Sequence, residues 1–142
     1  MRFLVIVKAN PDSEAGVMPT PEALDAMGKF NNELIAAGAM LDGGGLQESR
    51  KGARVNFDGD KPMVIDGPFA ETKELVAGYW VLQCKDLAEC VSWMKKAPFE
   101  EGEIEIRPFF EPEAFEGIAS PEIVAQEKGW RDEQARNAAR PN

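Results

Sequence analysis

Five successive apolar residues, Phe3-Leu4-Val5-Ile6-Val7, stand near the start of the chain. Because they do not alternate with polar residues, they predict a strand over Arg2 to Ala9 that is covered on both faces. Asn10 to Pro19 is polar, with two prolines and a glycine, and reads as a loop. Thr20 as N-cap, Pro21 at the first helical position and Glu22 behind it start a helix. Leu24, Met27, Asn31, Leu34 and Ile35 follow helical spacing along it, and Gly38 is its expected stop. Met40 and Leu41 open a second strand that runs into Asp42-Gly43-Gly44-Gly45-Leu46. The glycines permit a bulge, a close backbone approach or an anion cradle. A phosphate loop would feed a helix and carry the rest of its motif, so a bulge or tight strand entry is the reading preferred.

Ala53 to Phe57 and Pro62 to Ile65 flank Asp58-Gly59-Asp60-Lys61, which predicts a hairpin. Leu75 to Cys84 is the longest strand candidate, again apolar on both faces. Asp86 with Glu89 caps a second helix through Cys90, Val91 and Met94, ended before Pro98. Glu103 to Phe110 alternates, with Ile104 and Ile106 on one side and Glu103, Glu105 and Arg107 on the other. Ser120-Pro121-Glu122 starts a third helix carrying Ile123, Val124 and Trp130, beyond which a frayed tail is expected. The order strand, helix, strand, hairpin, strand, helix, strand is an α+β, ferredoxin-like split βαβ plan with an added hairpin. Two helices cover one face of such a sheet. The other face, apolar on the first and longest strands, calls for a homodimer through the open sheet face.

Charge and composition narrow the functions. With 142 residues, 44% of them hydrophobic and 29% charged, the body is long enough to bury a core without metals or disulfides. A net charge of −9 repels phosphate backbones and anionic lipid, so neither nucleic acid nor membrane is an expected partner. The apolar run at Phe3 to Val7 is too short for a signal peptide or a span. Cys84 and Cys90 fit neither zinc spacing nor a disulfide framework, so the expected compartment is the cytoplasm. No histidine is present. That removes the commonest general base, the usual zinc ligand and every Ser-His or Cys-His pair, leaving carboxylates, lysine, arginine and tyrosine for any catalysis. No metal or other cofactor is expected.

The densest group of constrained and ionisable residues is Asp66-Gly67-Pro68-Phe69-Ala70-Glu71-Thr72-Lys73-Glu74. Asp66 ends a mostly apolar strand and is the candidate acid or base, or else a residue that caps its own turn. Glu71, Lys73 and Glu74 are candidate ligand-binding groups or a solvated face. Arg107 offers a fork to Asp66, Glu74 or a ligand carboxylate, or makes a structural ion pair. Tyr79 offers a hydroxyl to the same pocket, whereas Trp80 and Phe69 are read as packing residues.

That nine-residue stretch resembles the signature of the DGPF proteins, a branch of the YCII-related family. Ala37-Gly38 with Leu41, the glycines from Gly43 to Leu46, Gly78-Tyr79-Trp80 and Glu105-Ile106-Arg107-Pro108 fit the same resemblance, in order. It spans roughly residues 1–112 and leaves the tail after Phe115 outside. The resemblance implies a ferredoxin-like domain over 1–115, a C-terminal helical extension over 116–142 and pairing of two subunits into a dimeric α+β barrel. Two functional readings follow from these residues and the resemblance together. One is an enzyme binding a small polar organic molecule in the barrel cavity, with acid–base chemistry at Asp66. The other is a non-catalytic ligand-binding or regulatory accessory dimer, linked to an extracytoplasmic-function sigma factor. Some relatives look like enzymes using a histidine and aspartate pair, and this chain has no histidine to complete one.

Overall fold

The computed structural model describes residues 1–70 and 74–138. Along the chain lie β1 (Arg2–Lys8), α1 (Pro11–Glu14), α2 (Pro21–Ala36), β2 (Met40–Gly45), β3 (Ala53–Asp58), β4 (Lys61–Asp66), β5 (Val76–Gln83), α3 (Leu87–Met94), β6 (Ile104–Pro108) and α4 (Pro121–Ala138). One antiparallel sheet has the order β2-β5-β1-β6, and β3 and β4 form a separate two-stranded sheet. This is the ferredoxin-like split βαβ arrangement, with a hairpin inserted between the second and third strands of the sheet.

Strand alternation decides which side chains reach the core. On β1, Phe3 and Val5 are buried while Leu4 and Ile6 are half-buried; on β5, Trp80 and Leu82 are buried while Tyr79 and Val81 are half-buried. The buried set joins Phe30 and Leu34 of α2 and Cys90 and Met94 of α3 in one cluster, so both helices cover the same face. Trp80 lies edge-on to Phe30 at 5.9 Å between centroids, and its indole N–H donates to Asn31 Oδ1 at 2.9 Å. On the opposite face Leu4 stands between Val81 and Arg107, and Ile6 between Tyr79 and Glu105. Both cysteines are free and buried, and burial pushes the Cys90 thiol up to about 12.

Three local expectations are corrected. Asn10 to Pro19 is not all loop: Asn10 Oδ1 accepts from the Ser13 backbone N–H while Ser13 Oγ accepts from that of Asn10, a reciprocal cap that starts α1. The bulge between β2 and β5 falls between Met40 and Asp42, ahead of the glycines. Gly43 serves close approach instead, since a Cβ there would lie 2.9 Å from Trp80 Cδ1. The segment beyond Trp130 continues as helix to Ala138.

The second compact unit begins at Phe109. Within it α4 carries Arg131, which pairs with Glu111, and Lys128, whose Nζ is 3.2 Å from Glu113 Oε1. Val124 is buried there. No helix among the described residues is long and apolar enough to cross a membrane.

Candidate functional site

Between β2 and β5 the chain leaves the main sheet, makes a 3-10 turn at Ser49–Lys51, runs out and back as the β3–β4 hairpin and returns through the 66–74 motif. Ser49 ties the ends of this excursion together. Its backbone N–H donates to Glu14 Oε1 at 3.1 Å and its hydroxyl to Glu14 Oε2 at 2.5 Å, while the same hydroxyl accepts from the Phe69 N–H at 3.1 Å. Gly67 N–H donates to Gly52 O at 3.0 Å, and the Gly67-Pro68 peptide is cis. One carboxylate and one hydroxyl thus bind α1, the turn and the motif into a single polar junction.

Glu48 anchors the turn from below. Its side chain is 8% exposed, with Arg50 Nη2 at 2.6 Å and Lys51 Nζ at 3.6 Å. Its own backbone N–H, followed by these two cations, holds the carboxyl below the usual 4.5 although burial pushes the other way. A folded-state value below the unfolded one stabilises the fold above pH 4.5 and loses that contribution as pH falls through the folded value. Glu48→Gln is therefore expected to flatten the acid limb of stability below about pH 4.5. Urea midpoints measured at pH 3.5 to 7 check this; an acid limb unchanged from wild type rejects it.

A groove of about 290 Å³ opens beside the junction, lined by Glu14, Ser49, Arg54, Phe69, Glu74 and the apolar Leu46, Leu75 and Val76, with Gln47. The Arg54 guanidinium carbon sits 3.9 Å from the centroid of the Phe69 ring. One cation, two carboxylates and a hydroxyl therefore face a partly apolar wall, a composition suited to holding a small polar molecule. A larger depression of about 340 Å³ lies within the second unit, but Lys128 lining it already pairs with Glu113. It gathers fewer polar groups of opposite sign.

The residues singled out in the sequence are placed apart. Asp66 is exposed at the end of β4, opposite Ala53. Glu74 lines the groove, and Glu71 and Lys73 lie outside the described residues. Tyr79 is on the open sheet face, where its hydroxyl donates to Asp42 Oδ2 at 3.1 Å; that bond, then the aspartate charge, raises its pKa above 10.0. Arg107 is 70% exposed on the same face, with Nη1 3.5 Å from Glu105 Oε2. Asp66, Tyr79 and Arg107 are not among the groove's lining residues. Glu14, Ser49 and Arg54 were not singled out. Ser13 and Asn10, which position Glu14, show a cap signal in the sequence, but nothing in sequence spacing joins Glu14 to Ser49 or stacks Arg54 on Phe69. Among the described residues no group of three histidine, cysteine or acidic side chains converges as a metal site would require.

The family model for the YCII-related domain matches residues 1–113. An uncharacterised protein of Rhizobium meliloti is 30% identical over 79 residues, which are 54% of this chain and 64% of that relative. The chain thus matches less than two thirds of that relative's length. Among solved structures, the 5-chloro-2-hydroxyhydroquinone dehydrochlorinase of Burkholderia phenoliruptrix, in complex with 2,5-dihydroxybenzoquinone, is similar with a TM-score of 0.41. It is 14% identical, over 78% of this chain and 95% of that one.

Proposed function

The chain belongs to the YCII-related family, and on that footing we propose that it binds a small polar organic molecule in the groove beside the 66–74 motif and performs acid–base chemistry with Asp66. The observation that carries this reading is the Arg54 guanidinium stacked on Phe69 and facing a groove that also holds Glu14 and Glu74. Arg54 supplies the charge that orients an anionic or strongly polar group, and Phe69 with Leu75 and Val76 supplies the apolar wall. Glu14 is committed to two hydrogen bonds from Ser49. Asp66 is exposed three residues before Phe69 and outside the groove's lining, so on this reading the bound molecule extends beyond the groove to exchange its proton with that carboxylate. The active form is a homodimer in which the open sheet faces meet, enclosing Tyr79 and Arg107.

A second reading is a ligand-binding accessory dimer without turnover. It is favoured by the exposure of Asp66 in the single chain and by the absence of histidine. The two separate in one experiment: a panel of small polar metabolites, scored for binding by calorimetry and for turnover by mass spectrometry, against wild type, Arg54→Ala and Asp66→Asn. Binding weakened about tenfold or more by Arg54→Ala, with turnover abolished by Asp66→Asn in a folded chain, is the expected result. Binding without turnover establishes the accessory reading. Binding indifferent to Arg54→Ala rejects the groove.

A further inference from the structure

Among the described strands, β3 and β4 are the least covered. Every residue of both strands is exposed, and the two strands form their own sheet. Five large apolar side chains lie on it: Val55 at 50% exposure, Phe57 at 79%, Met63 at 59%, Val64 at 67% and Ile65 at 42%. Register places Val55 opposite Val64 and Phe57 opposite Pro62, so these four share one face, with Asp66 at its end opposite Ala53. An isolated two-stranded ribbon is marginal in water at best. Its base is nonetheless fixed, because Gly67 N–H donates to Gly52 O across the root of the hairpin.

We infer that this hairpin is an arm that a second copy of the chain receives, reciprocally, in a two-fold dimer. Charge and area select that occupant. The hairpin carries Arg54 and Lys61 against Asp58, Asp60 and Asp66, close to neutral on a chain of net charge −9, so it is where two such acidic molecules repel least. Val55, Phe57 and Val64 share one face, and their exposed parts offer on the order of 300 Å² to a surface laid on it. One arm on one foreign surface falls short of a stable interface. Two reciprocal arms, each with the surface it covers, reach on the order of 1,200 Å², the lower end of the range for a specific complex. Arg54 belongs to both the hairpin and the groove, with Ile65 as its cross-strand neighbour. Seating the arm therefore fixes one wall of the groove, a consequence that rests on the ligand reading above, whereas the arm itself does not.

The test compares wild type with the double variant Phe57→Asp, Val64→Lys, two exposed positions whose change leaves the single subunit's core untouched. Sedimentation gives the dimer dissociation constant, and hydrogen exchange follows peptides covering 53–66 and 76–83. The expected result is a dissociation constant raised at least tenfold, with fast exchange over 53–66 and retained protection over 76–83. A monomeric wild type, an unchanged dissociation constant, or fast exchange over 53–66 in the wild-type dimer overturns the arm. Val81→Asp, on the open sheet face, serves as the control: a dimer broken by it and indifferent to the double variant leaves the sheet-face contact standing and removes the arm.

Discussion

Gly67→Ala is expected to abolish the groove while leaving the main sheet folded. A Cβ at position 67 would stand 1.8 Å from the Ser49 carbonyl oxygen, 2.5 Å from its carbon and 3.0 Å from Arg50 Cα. All three are backbone atoms, so no rotamer change relieves the overlap and the motif must move off the turn by an ångström or more. Two hydrogen bonds depend on the present spacing: Gly67 N–H to Gly52 O and Phe69 N–H to Ser49 Oγ. At about 1 kcal/mol each, their loss matches more than a tenfold fall in ligand affinity, before counting the displacement of Phe69 from under Arg54. The core cluster takes no residue from 46–74, so the melting temperature is expected to fall only slightly. Gly28→Ala in α2 is the matched control, because a Cβ there meets nothing within 4 Å and the helix gains up to about 1 kcal/mol. Calorimetry with a bound metabolite and thermal melts on the two variants separate local from global damage. A Gly67→Ala chain that binds as wild type removes the junction from the site.

This contrast shows where the sequence was informative. The main elements follow from signals within a few residues of one another: Pro21 behind Thr20, Asp86 ahead of Glu89, and Asp58-Gly59 between two apolar arms. In the structure Thr20 Oγ1 accepts from Ala23 N–H, Asp86 Oδ1 accepts from Glu89 N–H, and Gly59 adopts a φ of 59°. The apolar character of the second sheet face was legible as well, because Leu4 and Ile6 on β1 and Val81 on β5 break the alternation that one covered face would impose. The groove was not. It is made by Glu14, Ser49, Arg54 and Phe69, whose association is set by a turn, a hairpin root and a glycine contact rather than by any period along the chain. The ionisable density of the 66–74 motif did not show how it is held: the backbone N–H groups of Gly67 and Phe69 dock it, while Asp66 is exposed at the end of β4 opposite Ala53. The hairpin's exposure was not legible either. The apolar residues of β3 and β4 predict a hairpin without saying what covers it, and the separate sheet shows every residue of both strands exposed.

Phe3→Ala carries the largest expected cost in stability, about 3–5 kcal/mol, because the ring is 1% exposed and sits where both helices meet the central strand. Its register neighbours are Leu82 on β5, 0% exposed, and Pro108 on β6. Removing the ring leaves a void against Leu82 that strands held by hydrogen bonds on both sides of β1 cannot close. Against a typical total of about 5–15 kcal/mol this is a large fraction, and the urea midpoint should fall with little change in slope. Trp80 and Trp93 both report this core, so fluorescence in a Trp130→Phe background excludes the helix of the second unit from the signal. The comparison that gives the experiment its meaning is Phe57→Ala, the same truncation at a ring 79% exposed. At a dilution where the chain is single, Phe57→Ala is expected to change stability by less than about 0.5 kcal/mol, the ordinary range for a surface site. At concentrations where two copies associate it should become destabilising, because the ring then lies under a partner and binding is linked to folding. A Phe57→Ala penalty that does not depend on concentration would place that ring in the subunit's own packing and leave the hairpin without a second copy to hold it.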